Sequence, residues 1–365
     1  MRKLKITALL LVPMLLCASV RIDALELSAK SSIVMEASTG QVVHETDADT
    51  RRPMASTTKI MTAICAIESG DLSREISVAP EAVGVEGSSV YLSIGDKVTL
   101  LDLVYALMLE SANDAAAAIA IGVAGSVEEF AGLMNAKAAE LGLSDTHFTN
   151  PHGLSDENHY TTARELAKIT AYAMENETFR EIVSTGTHKI NVGGTVRHLS
   201  NHNKMLRMYD GAVGVKTGFT KASGRCLVSA AARDGMTLIA VTLSAPDDWA
   251  DHTAMLDMGF ASLSMEKLIE AGESAMIVPC IGGEKTEFII KNRDGLSLIL
   301  PRREREITRR VILPRYFYAP IEAGDTVGKI QFYDKDTLLG EVPFFAEESV
   351  LKTEYKQNIF WKIFK

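Results

Sequence analysis

Ser56 and Lys59 stand three residues apart in the segment RRPMASTTKIMTA, just ahead of an apolar run. Residues at this spacing share one face of a helix, so the lysine amine can reach the serine hydroxyl. A serine is a weak nucleophile until a base takes its proton, and a lysine is such a base only where burial or nearby positive charge lowers its pKa. The same spacing suits a helix cap beside a surface lysine, and it recurs in SMEK and SVLK. The spacing alone therefore leaves a nucleophile and a helix cap open.

A second polar group, Ser111-Ala112-Asn113, falls between two helices that the apolar periodicity predicts at 99–110 and 114–125. At such a tight link, the Ser111 hydroxyl could relay a proton to a leaving amine, and the Asn113 amide could hold a substrate amide. Serine and asparagine are also favoured at helix N-termini, so this group taken alone favours a cap.

A third group, Lys216-Thr217-Gly218, occurs once in the chain, at the end of a predicted strand. Its lysine can attract a substrate carboxylate, its threonine can hydrogen-bond that carboxylate, and its glycine lets a peptide lie close to the strand. Such a peptide would add to the edge of the sheet. If that edge packs against the helix of Lys59, the charge of Lys216 lowers the pKa of Lys59. A polar strand end followed by a turn is the alternative.

The elements around these groups predict one α+β domain over residues 25–268. Two β-rich runs at 32–45 form a hairpin, and three strand-like runs come late, the last two joined by Asp234-Gly235. Helices fill the middle, and two of them open with capping boxes at Ser126 and Thr162. Strands at both ends of a helical region predict an antiparallel sheet that is closed by the terminal segments and flanked by helices.

A final helix at 247–263 closes this domain and places Ser264 and Lys267 at its end. From 269 to 348 the chain consists of short strand-like runs broken by Gly, Pro, Asp and Asn, which predicts a small β-sandwich-like domain. The tail 349–365 mixes lysines with Trp and Phe, which suits a membrane interface, although its apolar residues spread around most of a helical wheel. A frayed polar tail is the alternative.

The N-terminus has the pattern of a targeting segment. MRKLK is a positively charged start, and ITALLLVPMLLCASV is an apolar run that is short for a membrane span and interrupted by a proline. We therefore expect residues 1–24 to be a signal peptide. Export leaves Cys65, Cys226 and Cys280, an odd and sparse set that predicts buried free thiols rather than a disulfide framework.

The chain carries a formal net charge of −9, which gives no support to nucleic-acid binding, a function that requires a basic face. Its cysteine and histidine spacings match no structural zinc site. His147, His152 and His159 would make a zinc peptidase only with a known ligand spacing, and theirs matches no helical pair. Packing and loop hydrogen bonds are the favoured role for these histidines, so we predict neither a metal nor a cofactor.

Taken in this order, the three groups resemble the signature of class A β-lactamases and penicillin-binding proteins. The chain is most similar to the low-molecular-mass penicillin-binding proteins that act as serine-type D-alanyl-D-alanine carboxypeptidases. The stretches GSSVYLSIGDKVTLLDLVYALMLESANDAAAAIA, LGLSDTHFTNPHGL, HYTTARELA and VGVKTGFTKASGRCLVSAA follow the order of that family, as do the signal peptide, the β-domain and the basic-aromatic tail. The resemblance covers essentially the whole chain and implies a β-lactamase/transpeptidase-like fold.

The resemblance implies that Ser56 attacks the carbonyl of the penultimate D-Ala of a peptidoglycan stem peptide, with Lys59 as general base. Ser111 and Asn113 would assist the proton shuttle and orient the substrate. D-Ala leaves, and water then hydrolyses the acyl-enzyme. β-Lactams would acylate Ser56 as mimics of the D-Ala-D-Ala terminus.

On the same resemblance, Lys216 and Thr217 bind the terminal carboxylate of the substrate, and Gly218 and Phe219 belong to the binding strand. The backbone N–H groups of Ser56 and Phe219 would form the oxyanion hole. Phe219 stands where some relatives carry His, which bears on substrate preference and on the rate of deacylation.

The expected location is the cell envelope, at the outer face of the cytoplasmic membrane, with the tail on the membrane surface. Two other functions stay open. A class A-like β-lactamase would need an activated deacylation water, and no glutamate motif for one is present. A catalytically silent peptidoglycan-binding protein is the other, and the intact motifs disfavour it. Rapid turnover of penicillin, or binding of cell-wall peptide without acylation, would distinguish them.

Overall fold

The computed structural model describes residues 25–354. The expected signal peptide at 1–24 and the segment 355–365 of the expected tail lie outside the described residues. An α+β domain is followed by an all-β domain, and each has a hydrophobic core of its own. This order of domains confirms the fold class that the sequence predicts.

The first domain has a central antiparallel sheet. The strands of the domain are β1 (Ser31–Glu36), β2 (Val42–Thr46), β3 (Glu75–Ser77), β4 (Lys97–Thr99), β5 (Thr187–Val192), β6 (Thr195–Ser200), β7 (Ala212–Thr220), β8 (Gly224–Arg233) and β9 (Met236–Leu243). Five of them form one sheet in the order β2-β1-β9-β8-β7, while β3 pairs with β4 and β5 with β6. The N-terminal hairpin joins the late strands through the β1–β9 pair, so both ends of the domain close one sheet, as predicted.

Helices surround this sheet. They are α1 (Lys59–Glu68), α2 (Leu100–Leu109), α3 (Asn113–Ala124), α4 (Val127–Glu140), α5 (Ala163–Glu175), α6 (Glu177–Ser184), α7 (Met205–Met208) and α8 (Asp248–Ser262). The predicted caps form at α4 and α5, where the side chains of Ser126 and Thr162 accept from the N–H groups of Glu129 and Glu165. Glu165 also holds the loop 144–146 with its carboxylate, which ties that loop to α5.

The sheet is buried on both faces because helices cover each of them. Successive residues of a strand point to opposite faces. Ile33 of β1 accordingly packs in the core shared with α1 and α3, and Val34 packs in the core shared with α8. Strands covered on both sides need not alternate apolar and polar residues, which explains the continuous apolar run of β9.

Helix α3 is the buried helix that its alanine-rich sequence predicts. Ala116, Ala117 and Ile119 are buried inside the domain. Within the described residues, no helix is by itself both long and apolar enough to cross a bilayer. Helices α3 and α4 reach that length and composition only as a pair, and they are bent by 83°.

The second domain is all β. Its strands are β10 (Leu263–Ile269), β11 (Ala275–Ile281), β12 (Glu287–Asn292), β13 (Leu296–Pro301), β14 (Ile307–Ile312), β15 (Phe317–Tyr318), β16 (Thr326–Asp334) and β17 (Thr337–Ala346). Six of them form one sheet in the order β14-β16-β17-β12-β11-β15, and β10 pairs with β13. Phe288, Phe332 and Phe344 are buried at the centre of its core.

The prediction for Ser264 and Lys267 was wrong. Helix α8 ends at Ser262, and both residues belong to strand β10, which pairs with β13. The segment is extended because Leu263 packs in the core beneath α8 while Ile269 packs in the core of the second domain, so its two ends are drawn to different cores. The domain boundary at 268 stays a prediction.

The thiols of the described residues are free. Cys226 and Cys280 are buried, as expected, and Cys65 is half-buried. Burial raises the pKa of Cys65 to about 12 and that of Cys226 to about 11. Neither group forms a reactive thiolate at neutral pH.

Candidate active site

Ser56 lies in a 3-10 turn, Ala55–Thr58, that leads directly into α1. The turn begins with Ala55 at a φ of 48°, a left-handed conformation that is uncommon for a residue with a side chain. Gly153 lets a neighbouring loop pack against this turn, because a Cβ at that position would collide with the Ala55 carbonyl. The serine hydroxyl therefore lies at the N-terminus of a buried helix, where the helix dipole favours negative charge.

Lys59, the first residue of α1, is fully buried. Its Nζ lies 3.0 Å from Ser56 Oγ, 2.7 Å from Asn113 Oδ1 and 2.6 Å from the carbonyl oxygen of His152. The amide and carbonyl oxygens can only accept hydrogen bonds. A neutral amine therefore donates its two N–H groups to them and points its lone pair at the serine hydroxyl.

The pKa of Lys59 is lowered well below its ordinary value, first by burial and then by the charge of Lys216. Asp114 acts in the opposite direction, but its carboxylate accepts hydrogen bonds from the loop 89–92. A buried lysine beside a second lysine favours the neutral form of the amine. The condition under which a lysine can serve as a base is thus present here.

Ser111 and Asn113 link α2 to α3, as predicted. Ser111 has a left-handed backbone, with a φ of 59°. Neither polar atom of the Asn113 side chain caps the backbone N–H groups of α3. Oδ1 accepts a hydrogen bond from Lys59, and Nδ2 donates one to the Glu86 carbonyl. The neighbouring loop approaches that amide only because residue 87 is a glycine, since a Cβ on Gly87 would lie 2.6 Å from Nδ2. The helix-cap alternative for Asn113 is therefore wrong.

Strand β7 is an edge strand of the central sheet and carries the third group. Lys216 is buried, and burial lowers its pKa to about 7. Thr217 is half-buried, and Phe219 exposes 66% of its surface. A Cβ on Gly218 would come within 3.0 Å of the Ser56 backbone nitrogen. Glycine at 218 therefore lets β7 itself approach the serine turn, a packing role beyond the approach of a peptide that the sequence suggests.

The loop 145–161 closes another side of the site. His152 contributes its backbone carbonyl to the buried amine, and His159 Nε2 lies 2.7 Å from Thr58 Oγ1. Burial lowers the pKa of His152 to about 3 and that of His159 to about 4, so both rings are neutral at pH 7. Across residues 25–354, no group of three or more His, Cys, Asp or Glu side chains is placed to hold a metal.

A cavity of about 390 Å³ opens between these elements. The predicted residues that line it are Ser56, Ser111, Thr217, Gly218 and Phe219. Lys59, Asn113 and Lys216 are the buried partners described above. The structure thus brings the three groups together in one cleft. Ser88 of the segment 87–92 also lines it, and the residues that the sequence analysis missed are His202, Lys204, Arg225, Asp248 and Trp249.

Arg225 of β8 is fixed by contacts with two other residues that line the cleft. Its Nε and Nη2 donate to Asp248 Oδ1 at 3.0 and 2.8 Å, and its guanidinium lies 5.7 Å from the centre of the Trp249 ring. With Lys204 and Lys216 it surrounds the cleft with positive charge from separate segments, which suits a ligand that bears a carboxylate. In the sequence, Arg225 stands in GRC, and Asp248 and Trp249 stand in DDW. Nothing in these short segments distinguishes them from ordinary charged surface segments.

Comparison with known proteins shows where this arrangement belongs. The family described as D-alanyl-D-alanine carboxypeptidase matches residues 18–247, which include all three groups. The chain belongs to the D-alanyl-D-alanine carboxypeptidase family. The family described as the C-terminal domain of penicillin-binding protein 5 matches residues 263–352, the all-β part. Both matches confirm the resemblance that the motifs indicate.

Similar proteins extend the match over most of the chain. The D-alanyl-D-alanine carboxypeptidase DacF of Bacillus subtilis is 29% identical over 346 residues, which cover 92% of this chain and 89% of DacF. A D-alanyl-D-alanine carboxypeptidase of a Streptomyces species is 38% identical over 256 residues, covering 64% of this chain and 88% of its own. The crystal structure of penicillin-binding protein 5 from Haemophilus influenzae superposes with a TM-score of 0.69 at 25% identity, covering 91% of this chain and all (100%) of that one.

Proposed function

We propose that this carboxypeptidase removes the terminal D-Ala from peptidoglycan stem peptides through an acyl-enzyme on Ser56. The observation that carries the proposal is the buried Lys59 amine, which faces Ser56 Oγ at 3.0 Å while Asn113 and His152 take up its N–H groups. An amine held in this way is a base whose lone pair points at a nucleophile. The family match supports the class of reaction, and the geometry supports the choice of residues.

Acylation begins when Lys59 takes the proton of Ser56 and the hydroxyl oxygen attacks the carbonyl carbon of the penultimate D-Ala. The oxyanion accepts hydrogen bonds from the backbone N–H groups of Ser56 and Phe219, which belong to the serine turn and to β7. These two backbones lie close together at Gly218. The C–N bond then breaks, and Ser111, which lines the cleft, relays the proton held by Lys59 to the leaving amine of D-Ala, so that Lys59 is neutral again.

Water completes the reaction by attacking the ester carbonyl; Lys59 takes a proton from that water and returns it to Ser56 Oγ as the ester bond breaks. Among the described residues, the one carboxylate that lines the cleft is that of Asp248, and Arg225 holds it. Because Arg225 already holds this carboxylate, it is not available to activate a deacylation water. Release of a bulky acyl group is therefore slow. This supports a penicillin-binding protein that is inhibited by β-lactams over a class A-like β-lactamase.

Substrate orientation follows from charge and from the free edge of β7. The terminal carboxylate binds Lys216 and Thr217, with Arg225 adding positive charge nearby. The peptide adds to β7 along Gly218 and Phe219, where an extended chain can pair with the backbone.

The substrate is a component of the cell wall, so the enzyme works in the cell envelope. We place it at the outer face of the cytoplasmic membrane, after export through residues 1–24 and with the tail 349–365 on the membrane surface. The start of this tail belongs to the second domain: Val350 is buried in its core and forms an isolated β-bridge with Ile321, and Lys352 forms one with Gly283, so a deletion should begin after Glu354. Removal of 355–365 should release the protein from membranes, and unchanged retention would refute the anchor.

The decisive test is D-Ala release from diacyl-Lys-D-Ala-D-Ala by the purified protein, with labelling by penicillin in parallel. Ser56→Ala should abolish both while the circular dichroism spectrum is retained. Normal D-Ala release by Ser56→Ala would end the serine proposal. Rapid turnover of penicillin by the unmodified protein would favour a β-lactamase, and peptide binding without labelling would favour a silent binding protein.

A further inference from the structure

A second cavity adjoins the catalytic cleft. It has a volume of about 630 Å³, and it is formed by the segment 51–53, the loop 155–160 and Ala222. The mechanism described above uses none of the side chains that project into it. Its size, larger than the cleft of about 390 Å³, is sufficient for part of a peptide.

The cavity shares its walls with the catalytic elements. The segment 51–53 runs directly into the turn that carries Ser56. Ala222 follows β7, which ends at Thr220, and Thr220 Oγ1 accepts a hydrogen bond from Ser155 Oγ at 3.3 Å. The cavity therefore continues the binding strand beyond the reaction centre.

The proposed binding mode sets the direction of the substrate. With the terminal carboxylate at Thr217 and the reacting carbonyl at Ser56, beside Gly218, the residues upstream of D-Ala-D-Ala must run past Phe219. An extended peptide advances about 3.3 Å per residue. Roughly three upstream residues therefore reach Ala222 and the second cavity.

The walls of this cavity carry opposite charges. Arg51 and Arg52 contribute to its lining from one segment, and Asp156 and Glu157 contribute from the loop 155–160. Tyr160 adds an aromatic side chain to the lining. A ligand that bears both a free carboxylate and a free ammonium matches this distribution, because each group meets the opposite charge.

Arg51 is held in place before any ligand binds. Its guanidinium lies 4.8 Å from the centre of the Tyr160 ring, and it pairs with Asp145 at 2.8 Å while 52% of the side chain stays exposed. Stacking on an aromatic ring restricts the arginine without covering all of its N–H groups. Donors thus remain to receive a carboxylate, and less side-chain entropy is lost when it binds.

We propose that this cavity is a second subsite, which binds the part of the stem peptide upstream of D-Ala-D-Ala. The arginines receive a free carboxylate of that segment, and the acidic residues receive a free ammonium. Peptidoglycan stem peptides bear both groups on the residues that precede D-Ala-D-Ala. The inference rests on the proposed function, since Ser56 and Thr217 set the direction of the chain.

The test compares two substrates, diacyl-Lys-D-Ala-D-Ala and the pentapeptide L-Ala-γ-D-Glu-L-Lys-D-Ala-D-Ala. The first has neither free charge upstream, and the second has both. Since an exposed ion pair contributes a few-fold in binding, two such contacts should raise kcat/KM for the pentapeptide about tenfold over the short substrate. Raising the salt concentration should reduce this preference.

Arg51→Gln and Glu157→Gln should each reduce the preference by roughly threefold, and together they should bring it close to one. Amidating the glutamate carboxylate of the pentapeptide should have the same effect as Arg51→Gln and add nothing to it. Arg310→Gln is the matched control, because Arg310 is an exposed arginine that lies 4.4 Å over Tyr333 in the second domain. Glu287→Gln, on an exposed position of β12, serves the same purpose for Glu157.

An unmodified enzyme that shows no preference for the pentapeptide would overturn the subsite. So would variants that slow both substrates equally, because that result indicates a structural role for Arg51 and Glu157. D-Ala release from the short substrate reports on the proposed function itself. Activity on that substrate without discrimination defeats the subsite alone, whereas inactivity on both substrates defeats the proposed function.

Discussion

The spacing Ser-x-x-Lys stands at the start of α1, as Ser56 and Lys59, and again in strand β10, as Ser264 and Lys267. At the first site, the helical turn brings the lysine amine to 3.0 Å from the serine hydroxyl. In a strand, residues three apart point to opposite faces. Each side chain of the second pair accordingly has its own carboxylate partner: Ser264 Oγ donates to Glu266 at 2.8 Å, and the lysine Nζ binds Glu270 at 2.7 Å.

The two lysines also differ in their acidity. The pKa of Lys59 is lowered by burial and by Lys216, whereas the pKa of Lys267 is raised by its hydrogen bond to Glu270. Lys267 exposes 62% of its side chain, so water screens its charge. The comparison teaches that the three-residue spacing carries no chemistry of its own. A helical turn, burial and a second positive charge supply it.

The largest contrast is expected from Lys59→Ala and Lys267→Ala. Loss of a general base costs roughly 10²–10⁴-fold in rate, so Lys59→Ala should reduce kcat/KM for D-Ala release by about 10³-fold. Lys267→Ala should match the unmodified enzyme, since its partner is a surface carboxylate. The rate of acylation by penicillin should follow the same order. A Lys59→Ala enzyme within tenfold of the unmodified enzyme would remove the distinction between the two pairs.

Asn113→Ala tests whether the contacts of the amine matter as much as the amine itself. Without the Oδ1 acceptor, the lone pair of Lys59 is no longer aimed at Ser56, and kcat/KM should fall about 10²-fold. Asn113→Asp should instead place a negative charge beside the amine and raise its pKa, so activity should be low at neutral pH and recover in more alkaline solution. Asn191→Ala, at an exposed position of β5, is the control. A pH profile of Asn113→Asp that matches the unmodified enzyme would argue against the proposed contact.

The pH profile should distinguish the two buried lysines. Lys59 must be neutral to act as a base, so kcat/KM rises with pH through its lowered pKa. Lys216, with a pKa of about 7, loses its charge above that pH, so carboxylate binding weakens and kcat/KM falls by up to about tenfold. Lys216→Arg should move the falling limb to higher pH, because arginine stays charged. A kcat/KM that does not fall between pH 6 and 9 would contradict the assignment of Lys216, and a profile with no rising limb at any pH would contradict that of Lys59.

The smallest effect concerns stability. The folded-state pKa of Lys216, about 7, lies below its ordinary value of 10.5, so the folded state holds fewer protons than the unfolded state between these limits. The free energy of unfolding therefore rises with pH across that window, and the destabilisation caused by burying the charged Lys216 is greatest below pH 7. Lys216→Met should remove the cost and add about 1–3 kcal/mol to the free energy of unfolding at pH 7. Urea unfolding measures it, with Lys267→Met as the control; an unchanged midpoint in Lys216→Met would show that the lysine carries no such cost.

Much of the fold was predictable because its signals are local. The caps at Ser126 and Thr162, the Asp234-Gly235 turn and the alanine-rich α3 each depend on a few neighbouring residues. The prediction that placed Ser264 and Lys267 at the end of a helix was wrong because the strand partner β13 lies some distance along the chain, and no local pattern indicates this pairing. The predicted residues of the candidate site do meet in one cleft.

Arg225 and Asp248 could not have been found in the same way. Their contact joins β8 to the first turn of α8, and each segment reads by itself as ordinary surface charge. The close approaches at Gly87 and Gly153 were equally invisible. Glycine is required at these positions because a Cβ would collide with a neighbouring segment, and only the fold shows which segment that is.

The sequence by itself determined the three polar groups, their order, the α+β domain with its β-rich successor, and the family that carries them. These follow from short motifs and from periodicities of two and of 3.6 residues, which need no knowledge of distant neighbours. Only the tertiary structure decided that Lys59 is a buried amine of lowered pKa beside a serine hydroxyl, while Lys267 is a surface cation. A pKa depends on burial and on charges brought from elsewhere in the chain, here Lys216 on β7, and those are set when the sheet edge packs against the serine turn.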